Sequence, residues 1–400
     1  MTPPHSVEES GVGAASQPLR IAMVGAFPFH PLRFEGGVEA STWSLIEGLT
    51  QIGGVDIHVI TTKSTLRTPI RFRHEGVSYH YLPSPRRWNT ITGGYVMKRR
   101  ITSELENLDP HVVHALDAVV HGPLCIGSDY PNVVSVHGIV SEEAGHLGSL
   151  RDRLRRRVHG WRQRRTVEKA RFLIQPTPYP EDYFRGQSTG IWFDTGNAIS
   201  GQYFDIERDP VKGRLLYVGS IIRRKRLVDL VHAVGKSVED GRSLHVRVAG
   251  PPVEEDYLRE VLAAVDAEGL RDRFEFLGLL DPPDLAAEYR RCEMLVLPSA
   301  QETSPMVIGE AMAAGVAVIA TAVGGIGELV NDGETGLIVP VGDVSHLSTA
   351  INSLHDDPER RDSMAKEGRE AARARFQSRA VARRVLDVYE RAIDAAGSPS

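Results

Sequence analysis

Short apolar runs recur along the chain, most of them rich in Val and Ile and bounded by turn residues. In the first half they fall at 19–27, 55–62, 77–82, 111–116, 132–137 and 171–176, with helical spacing between them. Such runs are apolar on both faces, the pattern of parallel strands covered by helices on either side. The pattern restarts at 215–218, 244–249, 274–277, 294–297, 317–322 and 336–339. The stretch 176–210, rich in Pro, Gly and Tyr, reads as the connection between two halves. From Pro358 the spacing is helical to the end, with Val381, Val385, Leu386 and Tyr389 on one face. This predicts an α/β chain of two doubly wound, Rossmann-like domains. Ligands of such sheets bind outside the carboxyl ends of the strands, here in the cleft between the domains.

Composition narrows the class. The chain has 400 residues, 41% hydrophobic and 25% charged, which excludes a disordered, collagen-like or coiled-coil protein. Cys125 and Cys292 lie too far apart in sequence for a disulfide framework or a four-ligand zinc site, so a reducing compartment is expected. Residues 1–18 read as a disordered tail; they carry Glu8 and Glu9, no basic cluster and no apolar run, unlike a signal peptide. The most apolar stretch, 311–323, is interrupted by Gly315 and falls short of the roughly 20 residues of a membrane span. A cytoplasmic protein is the expectation. The net charge is −5, yet residues 151–171 hold ten Lys or Arg against Asp152 and Glu168. A chain that is acidic everywhere else is not a nucleic-acid binder.

Three segments carry candidate chemistry. Phe34-Glu35-Gly36-Gly37-Val38-Glu39 follows the first strand and opens a helix, where free N–H groups suit a phosphate; a flexible turn is the bland alternative. Gly219-Ser220-Ile221-Ile222-Arg223-Arg224-Lys225-Arg226 puts four cations between a strand end and a helix start, where a diphosphate could be neutralised. An exposed basic loop would look similar. Pro298 to Met312 is the most informative. Glu302 lies in a loop after a strand, and Glu310 inside a helix that Pro305 helps to begin. Such a helix start can hold a phosphate, Glu302 the hydroxyls of an attached sugar, and Glu310 a ribose.

These motifs resemble family 4 of the retaining nucleotide-sugar glycosyltransferases, which have the GT-B fold. Glu302 and Glu310 match the family's Glu-x7-Glu element, followed by Ala311-Met312-Ala313-Ala314-Gly315 and Val318-Ile319-Ala320-Thr321. Gly324-Gly325, Glu328-Leu329-Val330 and Asp332-Gly333-Glu334-Thr335-Gly336-Leu337 match as well. In the first half the resemblance covers Gly36-Gly37 and Val136-His137-Gly138, and Asn197-Ala198-Ile199 is similar to the hinge. It implies an acceptor-side domain over 19–195, a nucleotide-sugar-binding domain over 196–375, and a C-terminal helix, 376–400, returning to the first domain. It also implies roles. Lys225 contacts the donor diphosphate, with Gly219 and Arg224 nearby. Glu310 takes the ribose hydroxyls. Glu302 and the backbone of Ser304, Pro305, Met306 and Val307 hold the sugar and distal phosphate. Gly36 and Gly37 face the phosphate from the other domain, His137 reaches the donor sugar, and Gly278 and Leu279 flank the base.

Two departures stand out. Ser220 occupies the place where the family usually has Arg, so Arg223 or Arg224 replaces that charge or phosphate binding weakens; and Thr303-Ser304 stands where many members have Gly-Phe.

The expected function is therefore retaining transfer of a sugar from a UDP- or GDP-linked donor to a glycan, lipid-linked or small-molecule acceptor. No Asp-x-Asp occurs, so a metal clamp lacks its usual ligands; no metal or cofactor is expected, and Lys225, Arg and helix N–H groups would stabilise the leaving phosphate. A sugar-nucleotide 2-epimerase of the same fold, using Glu142 and Glu143, and a non-catalytic sugar-nucleotide binder are the alternatives. A pyridoxal-dependent phosphorylase lacks an evident lysine motif. Leu150, Leu154, Val158 and Trp161 form one helical stripe among the arginines of 151–171. That stripe either packs on the first domain with the arginines solvated, or the segment makes peripheral contact with an anionic acceptor or the inner membrane face.

Overall fold

The computed structural model describes residues 17–29, 34, 36–84, 94–143 and 150–397, and of 143 and 150–155 the backbone alone. Most of the tail expected at 1–18, Glu35, and the side chains of Glu143, Leu150, Arg151, Asp152, Arg153, Leu154 and Arg155 lie outside the described residues.

The first apolar run forms β1 (Leu19–Val24), whose last four residues are buried because helices cover both faces. It is followed by α1 (Gly37–Ile52), β2 (Val55–Lys63), β3 (Ile70–His74), β4 (Val77–Pro83), β5 (Val112–Ala115), β6 (Asn132–Ser135), α2 (Leu150–Lys169), β7 (Phe172–Gln175) and β8 (Ile191–Asp194). The strands form one sheet in the order β3-β4-β2-β1-β5-β6-β7-β8. Every pairing in it is parallel except β3 with β4.

The second half contains β9 (Arg214–Val218), α3 (Leu227–Glu239), β10 (His245–Ala249), β11 (Phe274–Gly278), α4 (Pro282–Arg291), β12 (Met294–Leu297), α5 (Met306–Ala313), β13 (Ala317–Thr321), β14 (Leu337–Val339), α6 (Pro358–Phe376) and α7 (Ser378–Gly397). Its sheet, β11-β10-β9-β12-β13-β14, is wholly parallel. Both sheets reverse their direction of growth beside their first strand, between β1 and β5 and between β9 and β12. A crevice opens at such a switch point. The two doubly wound domains read from the sequence are therefore present, and their crevices face each other across the cleft.

Two strands escape the sequence pattern. β3, Ile-Arg-Phe-Arg-His, is exposed along its whole length at the sheet edge, so it has no apolar run to betray it. It also breaks the all-parallel expectation, because the short turn at Glu75 and Gly76 returns the chain antiparallel. β8 lies inside the stretch read as a connection; four residues at the opposite edge, two of them exposed, give little periodicity.

The chain crosses between domains twice, and the crossings touch. Ile199 N–H donates to the Phe376 carbonyl at 2.8 Å, and Ser378 N–H to the Ile199 carbonyl at 3.2 Å. Phe376 is buried in the second domain's core, whereas α7 lies on α1 and buries Val381, Ala382, Val385, Val388, Tyr389 and Ala392 in the first. The C-terminal helix thus returns as expected, with Leu386 on the flank of its stripe rather than within it. The stripe of α2 is corrected more sharply. Val158 and Trp161 are 45% and 57% exposed, and the helix buries Gln163, Thr166 and Val167 instead. Gly160 does not divide it. Among the described residues no helix is long and apolar enough to cross a membrane, and Cys125 and Cys292 are buried and unpaired.

Candidate active site

The loops after β1, β6, β9 and β12 converge on a cavity of about 750 Å³ between the domains, a volume typical of ligand sites. Two helix starts contribute to its lining. Gly36, which precedes α1, is extended, and Pro305 precedes α5; neither start has a side-chain cap. A Cβ on Gly37 would lie 3.1 Å from Met306 Cγ, so glycine there lets the two N-termini approach across the cleft. Their first-turn N–H groups and positive dipole ends address the same volume, which favours an anion.

Glu302 sits beside α5 and is 7% exposed. Lys225 Nζ donates to its Oε1 at 2.9 Å, Ser299 Oγ to the same oxygen at 2.9 Å, and Arg224 Nη1 lies 3.4 Å from Oε2. Burial opposes its charge, but Lys225 and Arg224 prevail and hold the carboxyl below the usual range. The basic loop is anchored to the same segment, since Ala300 N–H donates to the Arg224 carbonyl at 2.7 Å. Gly219, at φ 152°, follows β9 directly beneath the Lys225 side chain, a backbone angle that favours glycine. The two arginines that could stand in for the charge missing at Ser220 part company. Arg224 lines the cavity and donates to the Gln301 carbonyl. Arg223 turns away to pair with Glu260 over the ring of Tyr257.

Glu310 is buried one turn into α5, where Tyr289 of α4 donates its hydroxyl to Oε2 at 3.0 Å. Burial pushes this carboxyl up to about 7. A carboxyl whose folded value exceeds its unfolded one gains a proton on folding, so its stabilising share is complete below the ordinary carboxylate range and lost as pH rises through about 7. Between about pH 5 and about pH 8.5, the wild-type Tm should fall by roughly 2–4 °C more than that of Glu310→Gln. Parallel melting profiles would show that Glu310 does not carry this titration.

His137 lies two residues beyond β6 and lines the cavity. Burial pushes it down to about 4, against a hydrogen bond to Asn197 that works the other way. Of the residues singled out from the sequence, Glu302, His137, Lys225, Gly36, Gly37, Gly219, Arg224, Leu279, Ser304, Pro305, Met306, Val307 and Glu310 all line this one cavity. Gly278 does not; it ends β11 at φ 69°, and its carbonyl accepts from Gly250 N–H at 2.7 Å. Glu142, considered for an epimerase, is exposed and is not among the lining residues. Sequence reasoning missed Tyr289, Ser299 and the side-chain role of Asn197. The inward spacing of Tyr289 on an amphipathic helix was the one available signal. Among the described residues, no group of three His, Cys, Asp or Glu is placed to hold a metal.

Comparison with known proteins bears on the family and the fold. Residues 36–191 match the family model described as glycosyl transferase 4-like domain, and 203–371 the model glycosyl transferases group 1. A glycogen synthase of Mycobacterium tuberculosis is 29% identical over 286 residues, covering 70% of this chain and 68% of that one. Among solved structures, sucrose-phosphate synthase from Thermosynechococcus elongatus superposes with a TM-score of 0.79 at 23% identity, covering 94% of this chain and 99% of that one. Anabaena HepE, in complex with UDP and glucose, gives 0.72 at 16% identity, covering 93% and 100%.

Proposed function

This chain is a glycosyltransferase of the family 4 type with the GT-B fold, and on that premise we propose that it transfers a sugar from a nucleoside diphosphate (UDP- or GDP-linked) with retention of configuration. The acceptor is a glycan, a lipid-linked or a small-molecule hydroxyl compound. The observation that carries this reading is that two uncapped helix N-termini, Lys225 and Arg224 line one cavity with Glu302, which both cations contact. The N–H groups and cations neutralise the diphosphate as it departs, without a metal. Glu302, freed toward the ligand as the diphosphate engages Lys225, orients the sugar hydroxyls. Glu310 accepts from the ribose, and His137 meets the sugar from the first domain. The acceptor attacks on the face the diphosphate leaves, and a departing phosphate oxygen takes its proton.

A thermal-shift panel of UDP-, GDP- and ADP-sugars tests the donor class, since a ligand bound by the native state raises the apparent stability. No stabilisation by any of them would overturn the reading. Arg224→Ala is expected to weaken nucleoside diphosphate binding by roughly tenfold, the size of one charge-assisted contact. Unaltered affinity by calorimetry would show that Arg224 does not stand in for the missing arginine at 220.

Peripheral attachment through 151–171 belongs to the same reading. Trp161 and Val158 are exposed beside Arg157, Arg164 and Arg165, and the Arg165 guanidinium lies over the Trp161 ring. Indole and cationic side chains together suit an anionic interface, each cation contributing about 1 kcal/mol near the surface. Co-sedimentation with vesicles containing anionic lipid should be salt-sensitive and lost on changing Arg157, Trp161 and Arg164 to Ser. Absence of binding at low salt would leave the segment as a solvated face.

A further inference from the structure

The cavity does not end at the loops around Glu302. It continues along one flank of α1, where Ala40, Trp43, Glu47 and Gln51 all line it. Spacings of three and four put these residues on one side of the helix, and the run from Gly37 to Gln51 is about 21 Å long. Glu75, at the turn between β3 and β4, lines the same cavity. Trp43 is half-buried and packs against Phe27 and Phe34, with ring centroids 6.3 and 6.2 Å away. The rest of its indole surface is left to the cavity. Glu47 is held in place through one oxygen: Oε1 accepts from Gly201 N–H at 3.3 Å and from Gln51 Nε2 at 3.2 Å. Its Oε2 is shielded from solvent and has no hydrogen-bond partner among the described residues. A carboxylate oxygen in that state is costly, and a donor on a ligand relieves the cost. The last torsion of a glutamate is soft, so a small turn presents that oxygen to the cavity.

Charge separates the two ends. Arg224 and Lys225 are the cations lining the cavity among the described residues, and both contact Glu302. The lining residues of the first domain include Glu47 and Glu75 but no Lys or Arg. A sugar ring has apolar C–H groups on its face, which suit an indole, and hydroxyl donors at its rim, which suit a carboxylate. A phosphate or carboxylate there would meet two negative charges and no cation. We infer that the flank of α1 is the acceptor subsite, and that it takes a glycoside of two or more sugar rings bearing no phosphate or carboxylate. The reacting ring lies at the Gly37 end beside Glu302, and the next ring packs on Trp43 with a hydroxyl donated to Glu47. This rests on the reading of the cleft as a sugar-transfer site, and it narrows the acceptor to a sugar chain.

Maltotriose, cellotriose and chitotriose are the neutral probes, with trigalacturonate and the parent monosaccharides as contrasts. Tryptophan fluorescence, with and without UDP or GDP, reads binding, and Trp43→Phe assigns the response among the four tryptophans. One neutral trisaccharide should bind about tenfold or more tightly than its monosaccharide and than trigalacturonate. Trp43→Ala should erase its advantage over the monosaccharide. Glu47→Gln should weaken the neutral trisaccharide by about tenfold, the loss of one hydrogen bond to a charged group, while trigalacturonate binds more tightly. A merely structural role would move both probes the same way. In transfer, both variants should raise KM for the acceptor with nucleoside diphosphate affinity unchanged. Preference for the acidic probe, equal binding of mono- and trisaccharide, no binding of any neutral trisaccharide, or a parallel response of both probes to Glu47→Gln would overturn the inference. The ranking of probes by the wild type decides by itself if the variants do not fold. Failure of every sugar nucleotide to bind would instead sink the proposed function, because the acceptor probes are read without one.

Discussion

Glu302→Gln is expected to reduce turnover by about 100- to 1,000-fold while nucleoside diphosphate affinity holds or rises. The variant keeps the size of the side chain and removes its charge. Lys225, 2.9 Å away, and Arg224, 3.4 Å away, would then lack their carboxylate. Both cations become more available to a diphosphate, so binding does not suffer. What disappears is the charged acceptor beside the start of α5, which in the proposed transfer orients the sugar hydroxyls as the bond to phosphate breaks. Release of nucleoside diphosphate in the presence of acceptor gives kcat, and calorimetry gives the affinity. A variant with more than about half the wild-type rate would mean that Glu302 does not touch the sugar.

Lys225→Ala is expected to act the other way round, weakening nucleoside diphosphate binding by about 10- to 100-fold, the value of a hydrogen bond between charged groups. EDTA should leave wild-type activity nearly intact. Loss of activity in EDTA that manganese restores would contradict the idea that cations of the chain do the work of a metal. The substitution also has a stability signature with a definite sign. Lys225 is the leading attractive charge holding the Glu302 carboxyl below its usual range. Such a depressed group stabilises the fold above the ordinary carboxylate range, and the contribution is lost as pH falls through the folded value. The Tm deficit of Lys225→Ala should therefore be largest near neutral pH and shrink on acidification.

The parts of the site that lie close together in sequence were the legible ones. Glu302 and Glu310 sit eight residues apart on one loop and helix, so their spacing, a following apolar helix and Pro305 sufficed to place them. Gly37 and Lys225 were found because each stands between a strand end and a helix start, where an anion is held by backbone groups. The residues that tune these groups were not legible. Tyr289 reaches Glu310 from another helix, and Asn197 reaches Ser304 across 107 positions. The choice between Arg223 and Arg224 had no sequence answer either, because it depends on Glu260 and Tyr257, which the chain brings beside Arg223 only on folding.

The same boundary runs through the fold. Twelve strands announced themselves through short apolar-rich runs, clearest in β1, β5, β9, β12 and β13, which are covered on both faces and so read as apolar almost throughout. β3 and β8 did not, since an edge strand gains its hydrogen bonds from a neighbour and needs no apolar run of its own. In α2 the apolar spacing of Val158 and Trp161 was read correctly as one helical face, yet that face points outward. Periodicity states which side chains share a side of a helix; which side is covered depends on the surface it meets, here through Gln163, Thr166 and Val167. The sequence alone thus determined the alternation of elements, the two sheets and the loop that carries Glu302, all consequences of local backbone and burial rules. Only the tertiary structure decided which distant side chains meet, because hydrogen bonds and ion pairs such as those of Asn197, Arg224 and Glu310 join residues that only folding brings side by side.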